Sequence, residues 1–300
     1  MNKKNLKAFS LIEISVVLLI IGILITGITQ SSRVVSEIRL ASARSLTSSS
    51  PVASFKSLSL WLEPVLDSSF IATEAQDNTL VSTWFDSNPL VPSPSRISAT
   101  QTNTSFQPRY FSKEINGLPA LRFDGNSDWM TLGVILGLES ASKISIFIVN
   151  KFAANNNLNY IIAKQDNQVD GKGWAVSVNS GNHSLAINGH QSTNYISVSS
   201  PVNHNSPYLT SLTYNGLLAN TGMNMWVNGV KLTAPTRAGG PLTASPSPNG
   251  TEDLRIGSRE DNSSGWYNGS IGEIIVFTDS LSDNDVNEVN TYLKKKWGIK

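Results

Sequence analysis

The 300-residue sequence contains no cysteine. Disulfide frameworks, thiolate metal sites, cysteine nucleophiles and lipid attachment through a leader cysteine are excluded together, so the fold must be held by packing. Charge is also scarce: Asp, Glu, Lys and Arg make up 15% of the residues, and the formal net charge is +1. Without a long basic run there is no electrostatic footprint for nucleic acid. Histidine occurs only as His183, His190 and His204, with no pair at metal-ligand spacing, and each reads as a surface or turn residue. Neither a Walker-type glycine loop nor a Gly-x-Ser-x-Gly nucleophile turn is present.

What is present begins with KAFSLIEISVVLLIIGILITGI, Lys7 to Ile28, a nearly unbroken apolar run that carries one carboxylate, Glu13. Lys3, Lys4 and Lys7 precede it, a basic flank that the positive-inside rule keeps in the cytoplasm. A spanning helix needs about 20 residues to cross a hydrocarbon core of roughly 30 Å, and Phe9 to Ile28 meets that length. A secretory signal would be cut at a small-x-small site, but Ala41-Ser42-Ala43 lies far beyond the apolar run. An uncleaved anchor leaves the carboxylate without a reason, since a charge at mid-span costs about 2.5 to 3.5 kcal/mol on insertion scales, and less near an end.

The segment Ala8-Phe9-Ser10-Leu11-Ile12-Glu13 resembles the processing site of type IV prepilins and pseudopilins, usually Gly followed by Phe-Thr-Leu-Ile-Glu. Ala8 stands for the usual Gly and Ser10 for Thr. The resemblance implies cleavage by a prepilin peptidase between Ala8 and Phe9, N-methylation of Phe9, and assembly with other pilin or pseudopilin subunits. Glu13 would then offset the new amino-terminal charge of a neighbouring Phe9, because a buried charge is tolerated when paired. It also implies insertion in a bacterial inner membrane by one helix before assembly, with the rest of the chain in the periplasm or outside the cell, and a place in a pilus or pseudopilus afterwards.

After Ile28 the helix continues for a few turns, with Val34, Val35, Ile38 and Ala41 at helical spacing. In pilins this half packs on the head; the alternative is a juxtamembrane helix with no partner. LTSSSP, Leu46 to Pro51, is Ser-rich and ends in a helix breaker. The expected organisation is a leader over 1–8, a transmembrane and assembly helix over 9–46, a linker over 47–58 and a head over 59–300.

In the head, KISIFIV, WAVSV, HSLAI, YLTSLTY, MNMWV and IGEIIVF are short, rich in β-branched or aromatic residues, and several alternate. Ser180-Gly181-Asn182 and Asn228-Gly229 read as tight hairpin turns, the latter of type I′. Ser282 caps a terminal helix, DNDVNEVNTYLKKKW, whose Val286, Val289, Leu293 and Trp297 form one apolar stripe. The fold class is mainly β, an antiparallel jelly-roll sandwich between a long apolar N-terminal helix and a short C-terminal one.

The order of SLWLEPV, VSTWFDSN, NGLPALRFDGNSDWMTL, WVNGV, LRIGSR and NGSIGEIIVFTDSLSDNDVNEVNTYLKKKWGI resembles the concanavalin A-like lectin/glucanase superfamily in its LamG-like branch, over Leu60 to Ile299. That implies a two-sheet jelly roll that binds carbohydrate or protein, sometimes with Ca²⁺; after Asn88 the run PLVPSPSR departs from relatives. Some superfamily members are glycosidases, which need two carboxyl groups about 5 to 5.5 Å apart when retaining. No Glu-x-Asp-x-x-Glu segment supplies them, and Glu273 stands alone in its strand, so the chain reads as a binding protein and not an enzyme. No cofactor is required. For calcium the candidates are Asp166 and Asp170, and Asp124 and Asp128, although turns favour such residues for conformational reasons alone. For a glycan they are Trp266, Tyr267 and Asn268, in the polar run NSSGWYNG, while Trp226 reads as core. The alternative role is a pseudopilus subunit whose head docks a secreted protein or a partner subunit.

Overall fold

The computed structural model describes residues 11–92, 95–135, 138, 143–153, 158–165, 172–190, 194–243, 252–259 and 265–300. They divide into two compact units, Met1–Ser42 and Ala43–Lys300. Helix α1, Leu11–Ser48, runs through the division. In the first unit its apolar residues face outward on several sides: Leu11, Leu18 and Ile23 are 84%, 63% and 64% exposed. Among the described residues no helix is long and apolar enough to cross a membrane. Phe9, where the expected span begins, lies outside the described residues, as does the side chain of Glu13.

The second unit opens with strand β1, Leu58–Leu62, followed by β2, Thr79–Leu80, β3, Thr83–Phe85, and β4, Ser98–Thr100. Next come β5, Arg109–Ile115, β6, Leu118–Asp124, β7, Met130–Thr131, β8, Ile144–Phe152, and β9, Asn159–Gln165. They are followed by β10, Gly173–Asn179, β11, Asn182–His190, β12, Asn194–Pro201, and β13, Pro207–Tyr214. The chain ends with β14, Met223–Val227, β15, Val230–Lys231, β16, Thr236–Ala238, β17, Arg255–Ile256, β18, Asn268–Phe277, and helix α2, Asp283–Trp297. The first sheet has the order β15-β14-β13-β8-β18-β6-β5-β2, with β1 also on β18, and the second β16-β12-β11-β10-β9-β17-β7-β4-β3. Every pairing is antiparallel.

Two turns follow directly from residue type. Asn228 and Gly229 have φ of 49° and 79°, and Ser180 and Gly181 47° and 76°, the positive pair that a type I′ hairpin requires. Between the sheets, Ile146, Ile148, Ile274 and Val276 belong to one buried cluster with Trp174, Val176, Leu185 and Ile187. The strand residues between them are buried too, which explains why β8 and β18 read as continuous apolar runs: the far face of the first sheet is covered. Phe147, Phe277 and Phe55 stack edge to face there, and a Cβ on Gly272 would lie 2.6 Å from the ring of Trp297. Helix α2 provides that cover. Ser282 caps it in a reciprocal capping box with Asp285, Gly298 ends it in the left-handed conformation, and Val286, Val289, Leu293 and Trp297 are all buried.

The last turns of α1, from Ala43 to Ser48, belong to the second unit. In the first unit Val34, Val35 and Ile38 are exposed, and in the second Ala43 and Thr47, about one turn apart, are buried. Arg44 donates from Nε to the Val65 carbonyl at 2.7 Å and pairs with Asp67. Residues 47–58, expected as linker, are built into the head: Thr47, Val52 and Leu58 are buried, and the Ser57 carbonyl accepts the Thr278 N–H at 2.9 Å.

Beneath this junction lies a buried ionic network. Lys296 and the carboxylates of Glu63 and Glu273 are fully buried, with Nζ 3.2 Å from Glu63 and 2.8 Å from Glu273. Glu273 also accepts from Trp61 Nε1, Trp297 Nε1 and the Tyr292 hydroxyl, each at 2.8 Å. Glu63 accepts the Val65 and Leu66 N–H groups at 3.0 Å, together with the Ser69 hydroxyl. The Tyr292 hydroxyl lies 3.5 Å from Thr47 Oγ1, so the network reaches the last turn of α1. Burial, followed by the charge of Glu273, holds the Tyr292 hydroxyl well above the ordinary tyrosine range.

Candidate ligand-binding face

Alternation along β10, β11 and β12 sends Trp174, Val176, Leu185, Ile187, Ile196 and Val198 into the core. The intervening residues reach the outer face, and the register aligns them as Ala175, Ala186 and Ser197 in one row and Ser177, Ser184 and Ser199 in the next. A floor of small side chains makes a trough. Its volume is about 230 Å³, with Tyr160 and Tyr195 as rings and Gln165, Asn179 and Asn188 as amides along its sides. No lining residue carries a charge. The Ser177 and Ser184 hydroxyls lie 3.0 Å apart. Uncharged hydroxyls and amides beside planar rings suit a ligand that is itself rich in hydroxyl groups and has apolar C–H faces.

Of the glycan candidates, Tyr267 is displaced from the surface. It is fully buried, packs on Phe123 and Phe152, and its hydroxyl accepts from Asn150 Nδ2 at 2.8 Å. A ring enclosed in this way offers no stacking face, so the expectation of an exposed Tyr267 is corrected. Burial drives its hydroxyl well above the usual tyrosine range, despite the bond from Asn150. Trp266 is half-buried; its neighbour Gly265 accepts the Tyr160 N–H at 2.8 Å, tying this segment to the strand that carries a trough ring. Asn268 is half-buried on β18 and donates its N–H to Asn159 Oδ1 at 3.1 Å. Trp226, as expected, is core.

Asp166 and Asp170 lie outside the described residues. Asp124 and Asp128 are together, but as a closed turn: Asp124 Oδ1 accepts the N–H groups of Asn126, Ser127 and Asp128 at 2.8 to 3.1 Å, and Asp128 Oδ2 accepts that of Asp124 at 2.9 Å. Burial raises the Asp124 carboxyl, yet the three N–H groups outweigh it and hold it below the ordinary value. Burial and then the neighbouring Asp124 push Asp128 up to about 7. Both carboxylates thus brace their own turn, the conformational role that such residues have in β-proteins, and among the described residues no group of three or more His, Cys, Asp or Glu could hold a metal.

His183 also departs from expectation. It is no surface residue: it is buried in the core with one ring nitrogen 2.7 Å from Thr210 Oγ1 and the other 3.2 Å from Asn150 Nδ2. Burial pushes it down to about 3. Its place was visible in the sequence, since His183, Leu185 and Ile187 alternate on the inner face of one strand.

Comparison with known proteins separates the two parts of the chain. Residues 3–29 match the prokaryotic N-terminal methylation motif. The match ends before the head, and no curated protein sequence matches the chain. Among solved structures, the binding domain of Paraclostridial Mosquitocidal Protein 1 aligns with a TM-score of 0.53 at 12% identity, covering 81% of this chain and 55% of that one. A Trypanosoma rangeli sialidase in complex with sialic acid aligns at 0.51 and 10% identity, covering 80% of this chain and 33% of that one. The CBM40 module of a Ruminococcus gnavus sialidase, bound to a sialyllactose, is matched over 96% of its length, but at a TM-score of 0.43. At such identities the likeness concerns the fold alone, an antiparallel β-sandwich.

Proposed function

We propose that the chain is a pilin-like subunit, processed before Phe9 and held in the bacterial inner membrane by its apolar helix until assembly, whose head binds glycan outside the inner membrane. The observation that carries this reading is the joining of a methylation motif at residues 3–29 to a sandwich with an uncharged trough of serines, amides and tyrosines. Motif order supports reading that sandwich as LamG-like. A head of this bulk suits a minor component at the tip or side of a filament, there to adhere to a surface polymer.

The test uses the full chain in detergent micelles on an array of neutral oligosaccharides. Selective binding is expected, with Tyr195→Ala weakening it about tenfold, which corresponds to about 1.4 kcal/mol. A folded chain that binds no neutral glycan rejects the glycan role. Mass spectrometry of the protein from a cell with a prepilin peptidase should find N-methyl-Phe9 at the amino terminus; an intact Met1 rejects the pilin reading.

A second reading is favoured by a separate cavity of about 570 Å³ where the end of α1 meets α2, lined by Leu46, Pro51, Asn287, Thr291, Tyr292 and Lys295. There a secreted substrate or a partner subunit of a pseudopilus would dock. Chemical cross-linking from Lys295 to another subunit, together with silence on the array, would favour it.

A further inference from the structure

The outer face of the first sheet differs in charge from the trough on the second. Residues paired directly across strands share a face, and the register pairs Arg109 with Arg122, Arg122 with Ser270, and Ser270 with Lys151. Two guanidinium groups therefore sit on opposed residues, an arrangement that destabilises an antiparallel pair. The chain reaches it by a detour. Next to the Asn116-Gly117 turn Ile115 pairs with Leu118, and unbroken register from there would set Arg109 against Asp124, an attractive pair; a register shift between Phe111 and Ile115 moves it to Arg122. Bulges of this kind re-aim side chains and cluster at functional edges of sheets.

The acids nearby offset part of this charge but are held by other groups as well. Glu114, inside the bulge, has a side chain only 6% exposed and serves two cations, pairing with Arg122 and, at 2.8 Å, with Lys151. Asp124 and Asp128 line the same cleft, but Asp124 Oδ1 and Asp128 Oδ2 accept backbone N–H groups of their own loop. Arg109 forms no salt bridge among the described residues, and its Nη1 donates to the Asn78 carbonyl at 2.9 Å. Arg122 lies over the Phe111 ring, 3.9 Å from its centre. Both arginines line a cleft of about 440 Å³ with Thr104, Ser105, Gln107, Phe111, Asp124 and Asp128.

We propose that this cleft binds an acidic saccharide through a carboxylate on its sugar ring. The planar forks of Arg109 and Arg122 match a carboxylate, which a lysine point charge would not. Thr104, Ser105 and Gln107 supply partners for ring hydroxyls, and the volume accommodates a small ligand. This site stands apart from the neutral trough and does not depend on it.

The test is calorimetric titration of the full chain in detergent micelles with trigalacturonate, and with neutral galactotriose of the same length. Trigalacturonate should bind at least tenfold tighter. Arg109→Gln and Arg122→Gln should each weaken it about tenfold or more, and Arg109→Lys should restore only part of the loss. Arg109 is exposed, so its variants should keep the wild-type Tm, which thermal unfolding checks. Tyr195→Ala, on the other sheet, should leave trigalacturonate affinity unchanged. Equal binding of the neutral trimer, no saturable binding, unchanged affinity in both Gln variants, or loss in Tyr195→Ala would each overturn the proposal. Failure of neutral glycans on the array would leave it standing.

Discussion

Replacing Lys296 by Met keeps most of the side-chain length and removes its charge from between two buried carboxylates. In the wild type Glu63 and Glu273 each accept bonds from four groups, of which Lys296 is one, so the variant leaves each with three. Removing one partner of a buried ion pair costs about 3 to 5 kcal/mol, because the remaining charge is uncompensated. The three surviving bonds per carboxylate place the loss near the lower end, about 3 kcal/mol. For a unit of this size each kcal/mol moves Tm by about 2 to 4 °C, so a fall on the order of 10 °C is expected in thermal unfolding of the full chain in detergent. Combining Lys296→Met with Glu273→Gln removes one of the stranded charges and should recover part of the loss, a coupling of about 1 to 3 kcal/mol. A Tm within about 2 °C of wild type for Lys296→Met would refute the reasoning, since it would mean that neither carboxylate needs the cation.

Two further outcomes follow from other buried groups. His183 sits at about 3 in the folded chain against 6.5 for the free residue, so below pH 6.5 only the unfolded chain takes up its proton, and stability is lost progressively down to about pH 3. Between pH 7 and pH 5 this amounts to about 2 kcal/mol. Asp128 and Asp86, raised to about 7 and about 6 chiefly by burial, work in the opposite direction, being protonated first in the folded state. The His183 contribution is therefore read as the difference in urea midpoints between wild type and His183→Gln, which should shrink from pH 7 to pH 5; a pH-independent difference contradicts the buried neutral ring. Gly272→Ala should lower stability by about 1 to 3 kcal/mol, because its Cβ would meet the Trp297 ring at 2.6 Å; unchanged unfolding would mean that α2 does not press on β18 as described.

Much of the head was legible where the cause was local. Asn228-Gly229 and Ser180-Gly181 demand their turns, and Ser282 announces the start of α2. The ionic network was not legible, because its members come from residues 63, 273 and 296 and meet only through packing. Lys296 read as one of three cations in a last helical turn, which is where a lysine is placed by the helix dipole without any partner. Tyr267 was misplaced because β18 starts at Asn268 and its polar approach, NSSGWYNG, resembles a surface loop, although Tyr267 turns inward beside Phe123. The trough was partly visible, since the small residues alternate with apolar ones in WAVSV and HSLAI. The Arg109 and Arg122 pairing was hidden by the register shift: counting outward from Asn116-Gly117 gives the wrong partner.

The last turns of α1 bear on mechanics. Because Arg44 is bonded to Val65 and Asp67, and Thr47 lies against Tyr292, a pull along the helix enters the head at several points side by side, not through residues 49–58 in series. Bonds loaded in parallel share tension. Breaking one of these bonds alone would therefore leave the others holding the end of α1 to the sandwich.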